Sequence, residues 1–186
     1  MTDEPALLRA TGIAKTFGPV VALRSADLEV RPGEVHALLG ANGAGKSTLV
    51  KILSGVFPPD TGSIEVHGEK VSPSRPEHAL EAGLATVFQD PSLIPDLTVG
   101  QNFRLTGVDV DTVRGWLEEM DIDLDFDLVI KEIRLETLRM LDLAKALAHE
   151  PALLLLDEIT AALTADQAEK VFDVMQKWTE QGRSVL

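Results

Sequence analysis

The chain has 186 residues, 45 % of them hydrophobic, no cysteine and a formal net charge of −13. That length buries one sizeable core with room for a small appended subdomain, and the charge sets the whole against nucleic acid and anionic membrane surfaces. Disulfides and thiolate metal sites are excluded, which fits a reducing cytoplasm; the acidic start Met1-Thr2-Asp3-Glu4-Pro5 has no apolar signal region, and the longest apolar run, 152–156, is far short of the ~20 residues of a membrane span.

The first third predicts an antiparallel arrangement. Segments 7–13 and 20–23 are apolar and joined through the turn Phe17-Gly18-Pro19, and 27–30 alternates polar and apolar up to a second turn at Arg31-Pro32-Gly33-Glu34. The run 35–39 predicts a strand, followed by a loop and a helix to about Gly55. Residues 63–71 alternate with period two around His67-Gly68 and predict a hairpin; 76–82 predict a helix stopped by Gly83, and 84–88 a buried strand ending at Gln89. Between about 91 and 148 helical periodicity takes over, notably over 111–120 and 131–148. Residues 153–156 then predict a strand covered on both faces. An amphipathic helix follows over 165–181, with Val171, Phe172, Val174, Met175 and Trp178 on one face, and a last strand opens at 183.

The loop after 35–39 reads Gly40-Ala41-Asn42-Gly43-Ala44-Gly45-Lys46-Ser47-Thr48, the phosphate-binding pattern G-x-x-x-x-G-K-[ST] in its strand–loop–helix context. Glycines let the backbone curl so that successive N–H groups point at phosphate oxygens where a Cβ would obstruct them. Lys46 reaches the β and γ phosphates, the Ser47 hydroxyl can ligate Mg²⁺, and the helix beginning near Lys46 offers its positive end. The pattern predicts binding of a nucleoside triphosphate.

Leu153-Leu154-Leu155-Leu156-Asp157-Glu158 is the second strong motif, a buried strand delivering carboxylates at its carboxyl end. Asp157 would hold Mg²⁺ and Glu158 would orient and polarise the attacking water. Read alone, Asp-Glu after a strand serves equally as a helix N-cap with a first-turn acid; the phosphate loop favours the catalytic reading.

With these motifs in hand, the chain resembles the ATP-binding-cassette (ABC) transporter ATPases over essentially its whole length, in wording nearest the monosaccharide importers of the ribose, xylose and galactose type. The likeness rests on residues 40–55, on Val87-Phe88-Gln89-Asp90 through Leu97-Thr98-Val99, and on Asp157-Glu158 followed by Thr160-Ala161-Ala162-Leu163-Thr164. The resemblance implies an α/β fold: a P-loop NTPase core of ABC ATPase type over 1–90 and 149–186, with an N-terminal antiparallel β subdomain and an inserted helical subdomain over 91–148. It implies ATP and Mg²⁺ as ligands and Phe17 as the ring that stacks on adenine, although a phenylalanine before Gly-Pro serves equally as turn packing. Gln89 would contact Mg²⁺ and water, its amide being both acceptor and donor. The implied partners are a second nucleotide-binding domain, membrane permease chains and, indirectly, a sugar-binding protein, with no nucleic acid. The implied location is the cytoplasmic face of the membrane.

The family pattern breaks in three places. The family signature, a Leu-Ser-x-Gly-Gln-like run, falls on Ile133-Arg134-Leu135-Glu136-Thr137, so the serine has become Arg134 and the glycine Glu136. In the family this signature caps the ATP on the other subunit, and losing two or three charge-assisted hydrogen bonds costs on the order of 3–9 kcal/mol. Ile159 stands where the family has proline, a small effect. The family's switch histidine has no counterpart before Leu186; His36, His67, His78 and His149 read as ordinary surface or hairpin residues, and the short helical subdomain suggests part of a longer protein. Two rival readings follow: a regulatory subunit that binds ATP but hardly hydrolyses it, and an ABC ATPase of translation or DNA repair, which the acidic charge disfavours. Asp121, Asp123, Asp125, Asp127 and Glu132 imitate a Ca²⁺ loop, but Phe126 stands where the sharp turn wants glycine. An acidic connector with Ile122, Leu124, Phe126 and Leu128 turned inward is the better reading, and Trp116 and Trp178 read as helix packing.

Overall fold

A computed structural model describes residues 5–159 and 163–186. The chain forms two compact, discontinuous units: residues up to 85 with 151–155 and 177–186, and residues 86–150 with 156–176.

In the first unit the N-terminal apolar segments become two long antiparallel strands, β1 (Leu8–Phe17) and β2 (Val20–Val30). The expected separate strand at 27–30 is the tail of β2; the pairing runs through irregularities, at one of which Gly12 N–H donates to Asp27 Oδ1 (2.6 Å). Gly18 and Pro19 alone link the strands, Gly18 at φ 54° and the proline ring fixing the next φ, so Phe17 lies opposite Val20. The hairpin β3 (Thr61–Val66) and β4 (Glu69–Val71) completes a sheet of order β2-β1-β3-β4. His67 and Gly68 turn it with φ 52° and 78°, the mirror-image turn that suits strand twist. Helix α1 (Lys46–Leu53) buries Leu49, Val50, Ile52 and Leu53 in a core shared with Leu8, Ile13, Val30, Ile64, Leu84, Leu153 and Leu186. Helix α2 (Pro76–Glu81) stops before Gly83, whose φ is 84°.

Strands β5 (Leu84–Val87), β6 (Leu153–Leu156) and β7 (Ser184–Val185) line up in that order, with β6 and β7 parallel. The strand expected over 35–39 does not form. Val35 makes one parallel bridge to Val185, with His36 N–H donating to the Val185 carbonyl (2.8 Å) and Val185 N–H to Glu34 (3.0 Å). Beyond Val35 the segment reaches Leu39 as irregular backbone, with Leu39 88 % exposed.

In the second unit, helices α3 (Val99–Thr106), α4 (Val110–Glu119) and α5 (Leu135–Ala148) pack through Phe103, Val113, Leu117, Met140, Leu141 and Leu147, all buried. Thr98 and Gln101 form a capping box on α3, and Asp109 accepts from Thr112 N–H (2.9 Å) at the start of α4. The helix expected from 131 begins at Leu135, because 130–132 is a single 3-10 turn. Of the four connector residues expected inside, only Phe126 is fully buried, its ring 5.8 Å from that of Phe103. Asp125 accepts from Asp127 N–H (2.9 Å), and this turn breaks the alternation, leaving Leu128 exposed. Helix α6 (Ala165–Glu180) buries Val171, Val174 and Trp178, whereas Phe172, one step around the helix from Val171, is 57 % exposed and off the expected face. His149 caps α5, and burial, then the neighbouring Lys145 cation, hold its imidazole below the ordinary value and hence neutral at pH 7.

No helix among the described residues is long and apolar enough to cross a membrane. The stretch between β5 and α3 is irregular, and side chains fix it. Buried Asn102 accepts from Ile94 N–H (2.7 Å) and donates to the carbonyls of Ile94 (3.2 Å) and Thr98 (3.0 Å). Asn102→Ala orphans these backbone groups and is expected to cost about 2–3 kcal/mol, read as a lower urea midpoint with unchanged slope.

Candidate nucleotide-binding site

The phosphate-loop residues all lie in the first unit. Gly43 and Gly45 take φ of 80° and 89°, and Gly45 is the N-cap of α1. A Cβ on Gly45 would stand 2.5 Å from Leu23 Cδ2 and 2.7 Å from the Ala22 carbonyl, so glycine is demanded by both backbone conformation and the packing of β2. The first helical hydrogen bond runs from Leu49 N–H to the Gly45 carbonyl (2.9 Å), so the amides of Lys46, Ser47 and Thr48 point out of the helix end. No acid stands in the first turn of α1 to oppose an anion there. Ala44 N–H closes a turn onto the Ala41 carbonyl (3.1 Å), which carries Asn42 and Gly43 across the exposed crest. Lys46 Nζ donates to the carbonyls of Gly40 (2.7 Å) and Ala41 (3.2 Å), so the ammonium is held over the loop with one of its three donors to spare.

Phe17 belongs to the same unit. It ends β1 opposite Val20, three residues or about 10 Å along β2 from Leu23. Leu23 touches Gly45, so ring and loop are separated along β2 by a length that a ribose and its phosphates bridge. The ring is 44 % exposed and stands edge-on to Phe57, with centroids 5.1 Å apart. Sequence reading missed this surrounding, because its contacts join residues more than 40 positions apart. Lys15 Nζ donates to the Pro58 carbonyl (2.7 Å) and to Asp60 Oδ1 (2.9 Å), and Thr16 N–H donates to Asp60 Oδ2 (2.7 Å). These bonds, Lys15 first, hold the Asp60 carboxyl below its ordinary value of 3.8.

Gln89, Asp157 and Glu158 belong to the second unit. Asp157 N–H donates to the Val87 carbonyl (3.0 Å), so the ends of β6 and β5 are joined two residues before Gln89. Gln89 and Glu158 are exposed and Asp157 is half-buried. Glu158 has φ 53°, a left-handed conformation that costs a residue with a Cβ about 1–2 kcal/mol, and the side chain of Ile159 beside it is buried at 3 % exposure. Thr160, Ala161 and Ala162, which carry part of the family likeness, lie outside the described residues. Sequence reading also missed what fixes the stretch after Gln89: Lys145 Nζ, paired with buried Asp142 (2.5 Å), donates to the Ser92 carbonyl (3.1 Å).

Among the described residues no group of three or more His, Cys, Asp or Glu could hold a metal ion, the acidic connector at 121–127 included. Mg²⁺ takes one or two protein oxygens beside substrate phosphates and waters, and Ser47 of the first unit and Asp157 and Gln89 of the second each carry a hard oxygen donor of that kind.

Arg134 is the N-cap of α5, and Glu136 is in its first turn. Arg134, its side chain 85 % exposed, makes no cap hydrogen bond, and its Nε lies 3.7 Å from Glu136 Oε2. This helix end therefore presents an ion pair to solvent.

A family model described as "ABC transporter" matches residues 23–161. The chain belongs to the ABC transporter family. Ribose import ATP-binding protein RbsA 1 of Rhizobium johnstonii is 39 % identical over 198 residues, covering 100 % of this chain and 39 % of that protein. RbsA 2 of Streptomyces coelicolor is 39 % identical over 193 residues, covering 97 % of this chain and 37 % of that one. The chain thus spans about two fifths of the length of these curated relatives. A crystal structure of a nucleotide-free ATP-binding cassette from an ABC transporter superimposes with a TM-score of 0.83 at 20 % identity, over 98 % of this chain and 80 % of that one. The fold of this ABC-family chain is therefore that of the ABC ATPase cassettes.

The clamp on Asp60 gives a pH signature. A carboxyl whose pKa is lower in the folded state contributes stability that is complete above the unfolded value and is lost as pH falls through the folded one. Asp60→Asn is expected to lower the urea midpoint at pH 7 by a margin that stays constant down to about pH 4 and closes below it.

Proposed function

We propose that this chain is the ATP-binding part of an ABC importer, coupling Mg·ATP binding and hydrolysis to entry of a sugar. The observation that carries the proposal is the loop on β2, with Lys46 Nζ above it and the amides of α1 directed outward. The amides of Asn42, Gly43, Ala44, Gly45, Lys46, Ser47 and Thr48 would cradle the phosphates, Lys46 exchanging loop carbonyls for β- and γ-phosphate oxygens. Phe17 would stack on adenine. Ser47, Asp157 and Gln89 would hold Mg²⁺, which when bound neutralises charge on the β and γ phosphates. Glu158 would orient the attacking water and accept its proton for in-line displacement at the γ-phosphorus. The names of the curated relatives support ribose or a related monosaccharide as cargo. The whole protein would act with a second nucleotide-binding domain, with permease chains in the membrane, and with a sugar-binding protein outside. It would thus sit on the cytoplasmic face.

A second reading draws on the start of α5. With Arg134 and Glu136 in the signature, this helix is a poor cap for a partner's ATP, and the chain would then serve as a regulatory subunit that binds nucleotide without efficient turnover. The two readings share the phosphate loop and part at hydrolysis.

Lys46→Ala is expected to weaken Mg·ATP binding by roughly 10²–10³-fold in equilibrium titration, and unchanged affinity overturns the nucleotide assignment. Glu158→Gln is expected to keep that affinity while slowing single-turnover hydrolysis, measured with an intact partner domain, by roughly 10²–10⁴-fold. Wild-type chain that binds ATP yet shows no such turnover selects the regulatory reading.

A further inference from the structure

An exposed phenylalanine at a hairpin tip can stack on a base in many orientations unless something fixes its plane, and a loose ring forfeits affinity to the cost of ordering it. Phe17 is fixed. Phe57 meets it edge to face, at 83° between ring planes. Lys15 Nζ stands 5.7 Å from the Phe17 centroid and 5.6 Å from that of Phe57, within range of the negative face of either ring. Lys15 cannot drift, because Pro58 and Asp60 hold its ammonium and only 13 % of its side chain is exposed.

The segment that carries Phe57 comes from the phosphate loop. It begins just after α1, whose first residue is Lys46, and turns at Gly55, where a Cβ would come 2.3 Å from the Arg75 carbonyl. The helix whose N-terminus faces the phosphates thus feeds, past a turn that has no room to adjust, the ring that steadies Phe17. Simple packing of the hairpin tip does not require a second aromatic there: the Lys15–Asp60 bonds already tie β1 to this segment, and Phe57 is itself only half-buried.

We propose that Phe57 is a positioning residue for base recognition, setting the plane of Phe17 so that the base as well as the phosphates contributes to nucleotide affinity. The inference rests on the nucleotide-binding reading above and adds to it a residue that acts through Phe17 rather than on the ligand.

The test is calorimetric titration of the full chain with two probes, Mg·ATP and Mg·tripolyphosphate, which share the polyphosphate and differ in the base. Phe57→Leu is expected to weaken ATP binding about three- to tenfold and leave tripolyphosphate unchanged, with Phe57→Tyr restoring ATP affinity. Phe17→Leu is expected to lose at least as much, and the double variant Phe17→Leu/Phe57→Leu no more than Phe17→Leu alone, because the second ring has nothing left to orient. Equal weakening of both probes by Phe57→Leu, or losses that add in the double variant, overturns the proposal in favour of a purely structural Phe57. An unchanged ATP affinity in Phe17→Leu overturns it together with the stacking role of Phe17. Failure of the wild-type chain to bind tripolyphosphate overturns the phosphate-loop reading itself, and the platform with it.

Discussion

At Gly45 the chain must satisfy two demands that no other residue meets. The backbone has to turn left-handed to begin α1, and it has to do so against β2, where Leu23 and the Ala22 carbonyl leave no space for one more carbon. That contact seats the loop on the antiparallel sheet, aims the amides of α1, and fixes where the chain emerges after the helix to meet the end of β1. An anion site made of backbone groups owes its precision to rigidity, and here one excluded methyl group supplies it. The stretch after Gln89 in the second unit follows a different logic. Around Gln89 the chain has no regular structure, and hydrogen bonds from α3 and α5 to the carbonyls of Ile94 and Ser92 do the work that ladder bonds do in a sheet.

The buried pair of Asp142 and Lys145 illustrates the cost of that arrangement. Taking two charges out of water is expensive, and a hydrophobic pair of similar volume would serve stability at least as well. What a hydrophobic pair would not supply is a cation placed to grip the Ser92 carbonyl (3.1 Å). The second unit gives up some packing energy for definition in the irregular stretch after Gln89.

How much of this was legible in the sequence depended on range. Residues 40–48 declared their loop because glycine spacing, lysine and hydroxyl are local requirements, and the leucines of β6 declared a covered strand because both faces must be apolar. Period-two alternation with His67-Gly68 at its centre likewise gave the β3–β4 hairpin with its turn. The errors came where a distant partner decides. Residues 35–39 have the composition of a strand, but a strand needs rungs, and among the described residues only Val35 makes one, to Val185. Leu128 and Phe172 were assigned inward faces by periodicity; one lies beyond a turn that resets the alternation, the other at the margin of its helix's apolar stripe. Around Phe17 the motif names one ring, whereas its surroundings are assembled from residues 15–17 and 57–60, joined by pairings that no spacing rule encodes. At the start of α5 the reverse holds: the charges of Arg134 and Glu136 are plain in the sequence, while their mutual ion pair needed coordinates.

The left-handed backbone at Glu158 gives this position a built-in bias. Glycine or asparagine would occupy φ 53° with less strain than glutamate does, so random replacement there runs thermodynamically downhill. A glutamate here is held at a cost in backbone energy, which any role for its carboxylate has to outweigh.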